Sequence, residues 1–129
     1  MYLLDTNVCI DFLLGRSSVL SDHVLQATGA LNLSAITVAE LRVGSRTSTD
    51  PKGDQHRIDS FVAALNVLAF GAEEALAYAD IVRASGMRRN NCDRLIGAHA
   101  LAAGLILVTR NETDFADIKG LRIENWTLA

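Results

Sequence analysis

The sequence is poor in the residues that build disulfide-bonded, proline-rich or membrane-spanning proteins. Its 129 residues include two cysteines, Cys9 and Cys92, one proline and 5% aromatic residues. Two cysteines make neither a disulfide framework nor a zinc site, and we expect both thiols to be buried or half-buried. No apolar run approaches the roughly 20 residues of a transmembrane helix. No basic-then-apolar leader precedes the first apolar residues, so we expect a cytoplasmic protein.

Length and charge limit the fold more than they limit the function. At 129 residues the chain is expected to form one domain, residues 1–129, which buries about two-thirds of its surface. The formal net charge of −3 and the pI near 5.5 are not typical of a nucleic-acid-binding protein. This evidence is weak, because catalytic carboxylates lower the pI of an enzyme that binds nucleic acid through a local basic rim.

Short apolar segments alternate with segments of helical spacing along the chain. The apolar segments predict strands at residues 2–4, 31–36, 67–70, 105–108 and 121–123. Strands separated by helices predict an α/β fold with a parallel sheet and helices on both faces. Because the first strand begins at residue 2, we expect later strands to pair on both of its sides. One polar stretch, residues 46–55, is predicted to be a loop.

Four acidic residues lie where predicted strands end or where the following helices begin. Taken singly, each acid is explained by helix stabilisation. Thr37 and Glu40 have the spacing of a capping box, and an acid in a first turn gains about 0.3–1 kcal/mol from the helix dipole. The four acids are Asp5, Glu40, Asp93 and Asp114.

Taken together, the four acids predict a metal site. In a parallel sheet the strand ends and the following helix starts share one edge, where ligands bind. At ~4 Å and an effective dielectric constant near 20, each contact between like charges costs about 4 kcal/mol, so the acids need a cation or several protons. Carboxylate oxygens suit Mg²⁺ or Mn²⁺. With Thr6, Thr109 and Asn111 beside it, such a site is suited to activating water against a phosphodiester.

Two other classes of function remain open. A Mg²⁺-dependent phosphatase with Asp5 as its nucleophile normally has a second acid two positions later, where this chain has Asn7. A non-catalytic RNA-binding module would prefer a basic face with stacking aromatic residues, and it would need no cluster of acids. Neither explains the four acids as well as a nuclease does.

The sequence resembles PIN domains, and in particular the VapC-type ribonuclease toxins of toxin–antitoxin pairs. The resemblance extends over essentially the whole chain, and the order and spacing of its motifs are more specific than any one of them. The motifs are Leu4-Asp5-Thr6-Asn7, Ile36-Thr37-Val38-Ala39-Glu40-Leu41 with Arg42 and Gly44, Asp93-Arg94-Leu95-Ile96-Gly97-Ala98-His99-Ala100-Leu101-Ala102, Leu107-Val108-Thr109-Arg110-Asn111 with Asp114-Phe115, and Gly120-Leu121-Arg122-Ile123-Glu124-Asn125-Trp126.

The resemblance implies a three-layer α/β/α PIN fold with strand order 3-2-1-4-5 and a divalent-metal-dependent endoribonuclease. It also implies a homodimer and an antitoxin partner that blocks the site. Asp5 and Asp93 match the surest metal ligands of the family, Glu40 would complete the site or orient the water, and Asp114 would act more peripherally. The family's supporting polar positions are matched by Thr6, Thr109 and Asn111.

The loop before the third acid departs from the family pattern. The family usually has a small apolar turn there, whereas residues 87–92 of this chain are mainly basic and polar. We expect nearby arginines to hold RNA phosphates on both sides of the bond that is cut, because phosphate contacts position a nucleic acid without reading its sequence. The alternatives are a solvated loop or arginines that pair with nearby acids. The arginines are Arg88, Arg89, Arg94 and Arg110.

Overall fold

The computed structural model describes residues 1–45, 49–86 and 91–128. Within these ranges five short strands alternate with seven helices. The elements are β1 (Tyr2–Leu4), α1 (Thr6–Leu13), α2 (Ser18–Gln26), β2 (Leu31–Ser34), α3 (Ala35–Ser45), α4 (Pro51–Ala64), β3 (Asn66–Leu68), α5 (Ala72–Ala84), α6 (Cys92–Ala103), β4 (Ile106–Val108), α7 (Glu112–Phe115) and β5 (Ile123–Glu124).

The strands form one parallel sheet in the order β3-β2-β1-β4-β5, which confirms the predicted order. The first strand is central, with Leu3 opposite Asn32 of β2 on one side and Leu107 of β4 on the other. Its position explains its apolar sequence, because both faces and both edges of a central strand are covered. Asp5, the next residue, therefore lies in the middle of the carboxyl edge of the sheet.

Two hydrophobic clusters cover the two faces of the sheet. Successive strand residues point to opposite faces, so Leu4 belongs to one cluster and Leu3 to the other. The first cluster is completed by α1 to α4 and includes Phe61. The second is completed by α5, α6 and the segment after α7, and includes Phe115. This arrangement confirms the expected three layers, with helices on both faces.

The strands predicted at 67–70, 105–108 and 121–123 are observed as β3, β4 and β5 with ends shifted by one or two residues. Two other differences have a clear local cause. Residues 35 and 36 belong to α3 rather than to β2, because the Ser34 hydroxyl accepts a hydrogen bond from Ile36 N at 3.1 Å and turns the chain there. The predicted loop at 46–55 is wrong from Pro51 onward, where α4 begins; residues 46–48 lie outside the described ranges. Asp50 Oδ1 accepts from Gly53 N at 3.2 Å, and a proline at the first position is favourable for a helix start.

Neither cysteine takes part in a disulfide. Cys9 is buried, as expected, but Cys92 is exposed, so the expectation of a buried or half-buried thiol is wrong there. In the residues that the structure describes, no helix is both long enough and apolar enough to cross a membrane.

Candidate functional site

Asp5 is fully buried at the carboxyl end of β1, and both of its carboxylate oxygens accept hydrogen bonds. Oδ1 accepts from Thr6 N at 2.8 Å, which caps the start of α1, and Oδ2 accepts from the Thr109 hydroxyl at 2.9 Å. The Asp5 main-chain nitrogen donates to Val108 O at 2.9 Å. The side chain is therefore fixed by two strands and one helix.

Burial raises the pKa of Asp5 from 3.8 to about 6. The hydrogen bond from Thr109 opposes this shift, and the negative charges of Asp93 and Glu40 add to it. The carboxylates that the sequence predicted to converge are thus electrostatic neighbours. Their proximity makes the ionised form of Asp5 unfavourable unless positive charge is supplied.

Glu40 reaches the site from the second turn of α3. Its Oε1 accepts a hydrogen bond from the Thr6 hydroxyl at 2.7 Å, and Thr37 Oγ1 lies 3.1 Å from the same hydroxyl oxygen. Because α3 begins at Ala35, Thr37 lies inside the helix and cannot be its N-cap. The capping-box alternative for Glu40 is therefore wrong, and its side chain faces Thr6 instead.

Asp93 and Asp114 approach from the other side of the sheet centre. Asp93 is half-buried in the first turn of α6, and burial, followed by the charge of Asp114, raises its pKa. Asp114 is exposed in α7, and its main-chain nitrogen donates to Asn111 O at 3.1 Å. Partial burial and the charges of Glu40 and Asp93 also raise the pKa of Cys92, which directly precedes Asp93 in α6.

The donor set fits a hard cation with a small number of protein ligands. Within residues 1–45, 49–86 and 91–128, no group of three or more His, Cys, Asp or Glu side chains is spaced to hold a metal ion as the side chains stand. Mg²⁺ commonly takes one or two protein carboxylates and keeps several waters. Asp5 and Asp93 are two such carboxylates, and the charge of Asp93 contributes to the raised pKa of Asp5.

Thr109 and Asn111 support the site in different ways. Thr109 is fully buried; its hydroxyl donates to Asp5 and accepts from Asn111 N at 3.0 Å. The Asn111 side chain makes no capping bond to α7, although Asn111 is the N-cap residue. Thr109 therefore positions Asp5 directly, whereas Asn111 acts on it through its main-chain nitrogen.

The four arginines predicted to contact RNA lie in different environments. Arg88 and Arg89 fall outside the described residues. Arg94 is 2% exposed, and its Nη2 contacts both carboxylate oxygens of Asp117 at 2.8 and 3.0 Å, so the alternative of an arginine paired with a nearby acid describes it. Arg110 Nη1 donates to Asp11 Oδ2 at 2.8 Å, and its side chain is 43% exposed.

Sequence reasoning missed two acids, Asp11 and Asp117, that pair with arginines near the site. Asp11 is buried and also pairs with Arg16 at 3.1 Å, and Asp117 is the partner of Arg94. Asp11 pairs with Arg110, which is 99 positions away, and no spacing rule in a sequence connects residues so far apart. His99 is buried, with Nδ1 2.8 Å from Ser34 Oγ, so its ring packs beside the end of β2.

The chain is similar to a known family and to known ribonucleases along its whole length. The family model for the PIN domain matches residues 2–121. The tRNA(fMet)-specific endonuclease VapC of Shigella flexneri is 31% identical, with 98% of each chain covered. Ribonuclease VapC2 of Haemophilus influenzae is 34% identical, with 97% of each covered. The crystal structure of DNA-bound VapBC from Salmonella typhimurium superposes with a TM-score of 0.89 at 30% identity, with 97% of each chain covered.

Proposed function

We propose, since this chain belongs to the PIN domain family and within it to the VapC group, that it is a divalent-metal-dependent endoribonuclease and the toxin of a toxin–antitoxin pair. The observation that carries the proposal is the convergence of acids on Asp5, whose pKa is raised to about 6 by burial and by the charges of Asp93 and Glu40. A site with this excess of negative charge favours a cation over an uncharged ligand.

Asp5 and Asp93 would hold Mg²⁺ or Mn²⁺. When bound, such a cation lowers the pKa of water at the site and offsets the charge of the phosphate. Thr109 and Thr6 N hold the two oxygens of Asp5, so that its remaining lone pairs have a fixed direction. Asp114 is exposed, and its negative charge contributes to the raised pKa of Asp93. We therefore assign Asp114 a peripheral role.

Glu40 is the residue best placed to orient the attacking water. Its Oε1 is fixed by the Thr6 hydroxyl, which leaves Oε2 to accept a proton from water. Because Thr6 also donates its main-chain nitrogen to Asp5, the water and the cation would be positioned by the same turn of α1. This arrangement reduces the motion needed to bring the water in line with the phosphate.

RNA would lie along the carboxyl edge of the sheet, with its backbone held by exposed arginines. Arg110 follows Thr109, and Asp11 holds both Arg110 and Arg16 by one carboxylate. The three side chains carry a net charge of +1, and the two arginines are 43% and 55% exposed. We keep Arg88 and Arg89 as further candidates because they precede Asp93 in the sequence.

An antitoxin segment fits a cleft of about 230 Å³ between α1, α3 and α4. Its apolar wall is formed by residues such as Leu13, Leu41 and Ile58, and its lining includes Glu40, one of the four candidate acids. A segment with one apolar face and an arginine or lysine would fill the cleft and place its cation among the carboxylates. The relatives from Salmonella typhimurium and Rickettsia felis are solved as VapBC complexes, which supports such a partner.

Three further features belong to the proposal. Residues 1–129 would form one PIN domain that acts as a homodimer. Its action on RNA would take place in the cytoplasm, where RNA is present. The substrate class is RNA, and the name of the Shigella relative makes initiator tRNA the first substrate to try.

The test is single-turnover cleavage of RNA and of a phosphomonoester by the purified chain, with Mn²⁺ and with EDTA. We expect the chain to cleave RNA but not the phosphomonoester, and to do so in Mn²⁺ but not in EDTA. Asp5→Asn and Asp93→Asn should each abolish RNA cleavage. Asp22→Asn, on the exposed face of α2, is the matched control and should remain active. Cleavage of the phosphomonoester alone would favour a phosphatase. RNA binding without cleavage in any metal would favour a binding module, and both results would overturn the nuclease.

A further inference from the structure

We infer that Arg94 is a positioning residue of the candidate metal centre: through its ion pair with Asp117 it holds the turn that carries Asp93 at a fixed distance from the segment that carries Asp114. The inference rests on the proposed function. It concerns a residue that neither touches the substrate nor holds the metal. Because Arg94 is buried, it is not available to bind RNA, and the inference assigns it a different role.

The ion pair joins the two segments that present the third and fourth acids. Arg94 follows Asp93 in the first turn of α6, and Asp117 lies three residues after Asp114. Arg94 Nη2 is 2.8 Å from Asp117 Oδ1 and 3.0 Å from Oδ2. Any movement of the first turn of α6 away from α7 would break both contacts.

Stability alone gives little reason for an arginine at this position. The Arg94 side chain is 2% exposed, whereas that of Asp117 is 46% exposed. Within the described residues, Arg94 Nη1 has no hydrogen-bond partner. A buried, incompletely paired guanidinium pays a desolvation cost that an apolar side chain of similar volume avoids. The pair is therefore better explained by the geometry that it imposes.

A second contact holds the same two segments together. Gly97, one turn after Arg94, lies so close to the end of α7 and the residues after it that an added Cβ would be 3.1 Å from both Phe115 Cδ1 and Ile118 Cδ1. The start of α6 is thus fixed by an ion pair at one turn and by close packing at the next.

The test compares two variants that should have different effects on Tm but the same effect on Mn²⁺ binding. Arg94→Met removes the buried charge and leaves Asp117 half-exposed to water, so Tm should stay constant or rise. Asp117→Asn leaves the buried Arg94 without its counter-charge, so Tm should fall. Both should weaken Mn²⁺ binding, measured by calorimetry, by about 10-fold or more, the usual effect of losing a residue that orients a metal ligand. Both should lower kcat for RNA with little change in KM.

Two further variants complete the design. Arg94→Lys should retain most of the Mn²⁺ affinity, because a single nitrogen of Arg94 makes both contacts to Asp117. Arg122→Met is the matched control: Arg122 donates to Gly104 O at the opposite end of α6, and its loss should leave Mn²⁺ binding unchanged.

The outcomes separate the two proposals. If the wild-type chain binds Mn²⁺ and cleaves RNA, and folded Arg94→Met does both equally well, the positioning role is overturned and the proposed function stands. If the wild-type chain does neither, both are overturned. If Arg94→Met does not fold, Asp117→Asn decides: weaker Mn²⁺ binding supports the positioning role, and unchanged binding overturns it.

Discussion

The hydroxyl of Thr6 donates a 2.7 Å hydrogen bond to Glu40 Oε1 across 34 positions of the sequence. The main-chain nitrogen of the same residue donates to Asp5 Oδ1 at 2.8 Å. One residue at the start of α1 therefore contacts two acids, one through its backbone and one through its side chain. Thr6 therefore helps to set the position of these two carboxylates relative to each other.

Thr6→Val should separate the geometry of the site from its charge. Valine has nearly the same shape but donates no side-chain hydrogen bond, so Glu40 loses its partner while Asp5 keeps its own. We expect a loss of about 1 kcal/mol in the free energy of unfolding, and about a 10-fold fall in RNA cleavage at saturating Mn²⁺. Urea denaturation and single-turnover cleavage measure the two effects.

Thr28→Val provides the control for Thr6→Val. The Thr28 hydroxyl donates to Leu25 O at 2.8 Å, at the end of α2, and contacts no acid. Its loss should lower stability by no more than Thr6→Val does and should leave cleavage unchanged. Equal cleavage by the two variants would show that Glu40 needs no orientation by Thr6.

Asp5→Asn should change the pH dependence of stability in the metal-free protein. The pKa of Asp5 rises from 3.8 to about 6 on folding, so the folded state binds the proton more tightly than the unfolded state. Stability from this group is therefore present below pH 4 and lost as the pH rises through 6. At 1.36 kcal/mol per pKa unit, the loss is about 3 kcal/mol.

Asparagine at position 5 carries no charge and remains a good N-cap for α1. In EDTA at pH 8 the variant should therefore be more stable than the wild-type protein, by up to about 3 kcal/mol, and the difference should shrink toward pH 4. Urea denaturation at several pH values measures it. A stability difference that does not vary between pH 4 and 8 would contradict the raised pKa of Asp5.

Local patterns predicted that β1 is central and that the acids lie at one edge of the sheet, whereas the full sheet order was implied by the resemblance to PIN domains. An apolar segment such as residues 2–4 predicts a strand, and parallel strands bring the residues after them to one edge. The bounds of helix α6 were predictable too, because Asn91 and Gly104 are a standard N-cap and C-cap. The start of α4 was missed because its first residues are polar and lack apolar spacing, although Asp50 and Pro51 signal a helix start.

The ion pairs around the site could not be predicted. Asp11 and Arg110 are 99 positions apart, and Arg94 and Asp117 are 23 apart. Each pair forms because the fold brings two helix or loop segments together, and no periodicity in the sequence records that meeting. Arg94 illustrates the consequence, since proximity to Asp93 in the sequence suggested RNA binding, whereas the helix turns its side chain into the protein.

Gly97→Ala should destabilise the contact that α6 makes with the end of α7 and the residues after it. The added Cβ would lie 3.1 Å from side-chain atoms of Phe115 and Ile118, both buried, so the helix must move or the core must repack. We expect a loss of about 1–3 kcal/mol in the free energy of unfolding, together with weaker Mn²⁺ binding.

Gly44→Ala is the matched control for Gly97→Ala, because it makes the same change inside a helix. No atom lies within 4 Å of the Cβ added at Gly44. Alanine should stabilise α3 there by about 0.5–1 kcal/mol through helix propensity. If both substitutions have the same sign, helix propensity rather than packing decides at Gly97.

Arg110→Gln should weaken RNA binding in a salt-dependent manner. Arg110 is 43% exposed beside the buried Thr109, and Asp11 keeps Arg16 as a partner when Arg110 is replaced, so the fold should remain intact. Losing one phosphate contact on single-stranded RNA should reduce the slope of log affinity against log salt by about 0.7. Because the Arg110 guanidinium pairs with Asp11 rather than with Asp5 or Asp93, Mn²⁺ binding should not change.

Arg122→Gln, at the opposite edge of the sheet, should leave the slope as it is. An unchanged slope in Arg110→Gln would assign Arg110 to the ion pair with Asp11 alone, and a loss of Mn²⁺ binding would mean that Arg110 supports Asp5 through Thr109.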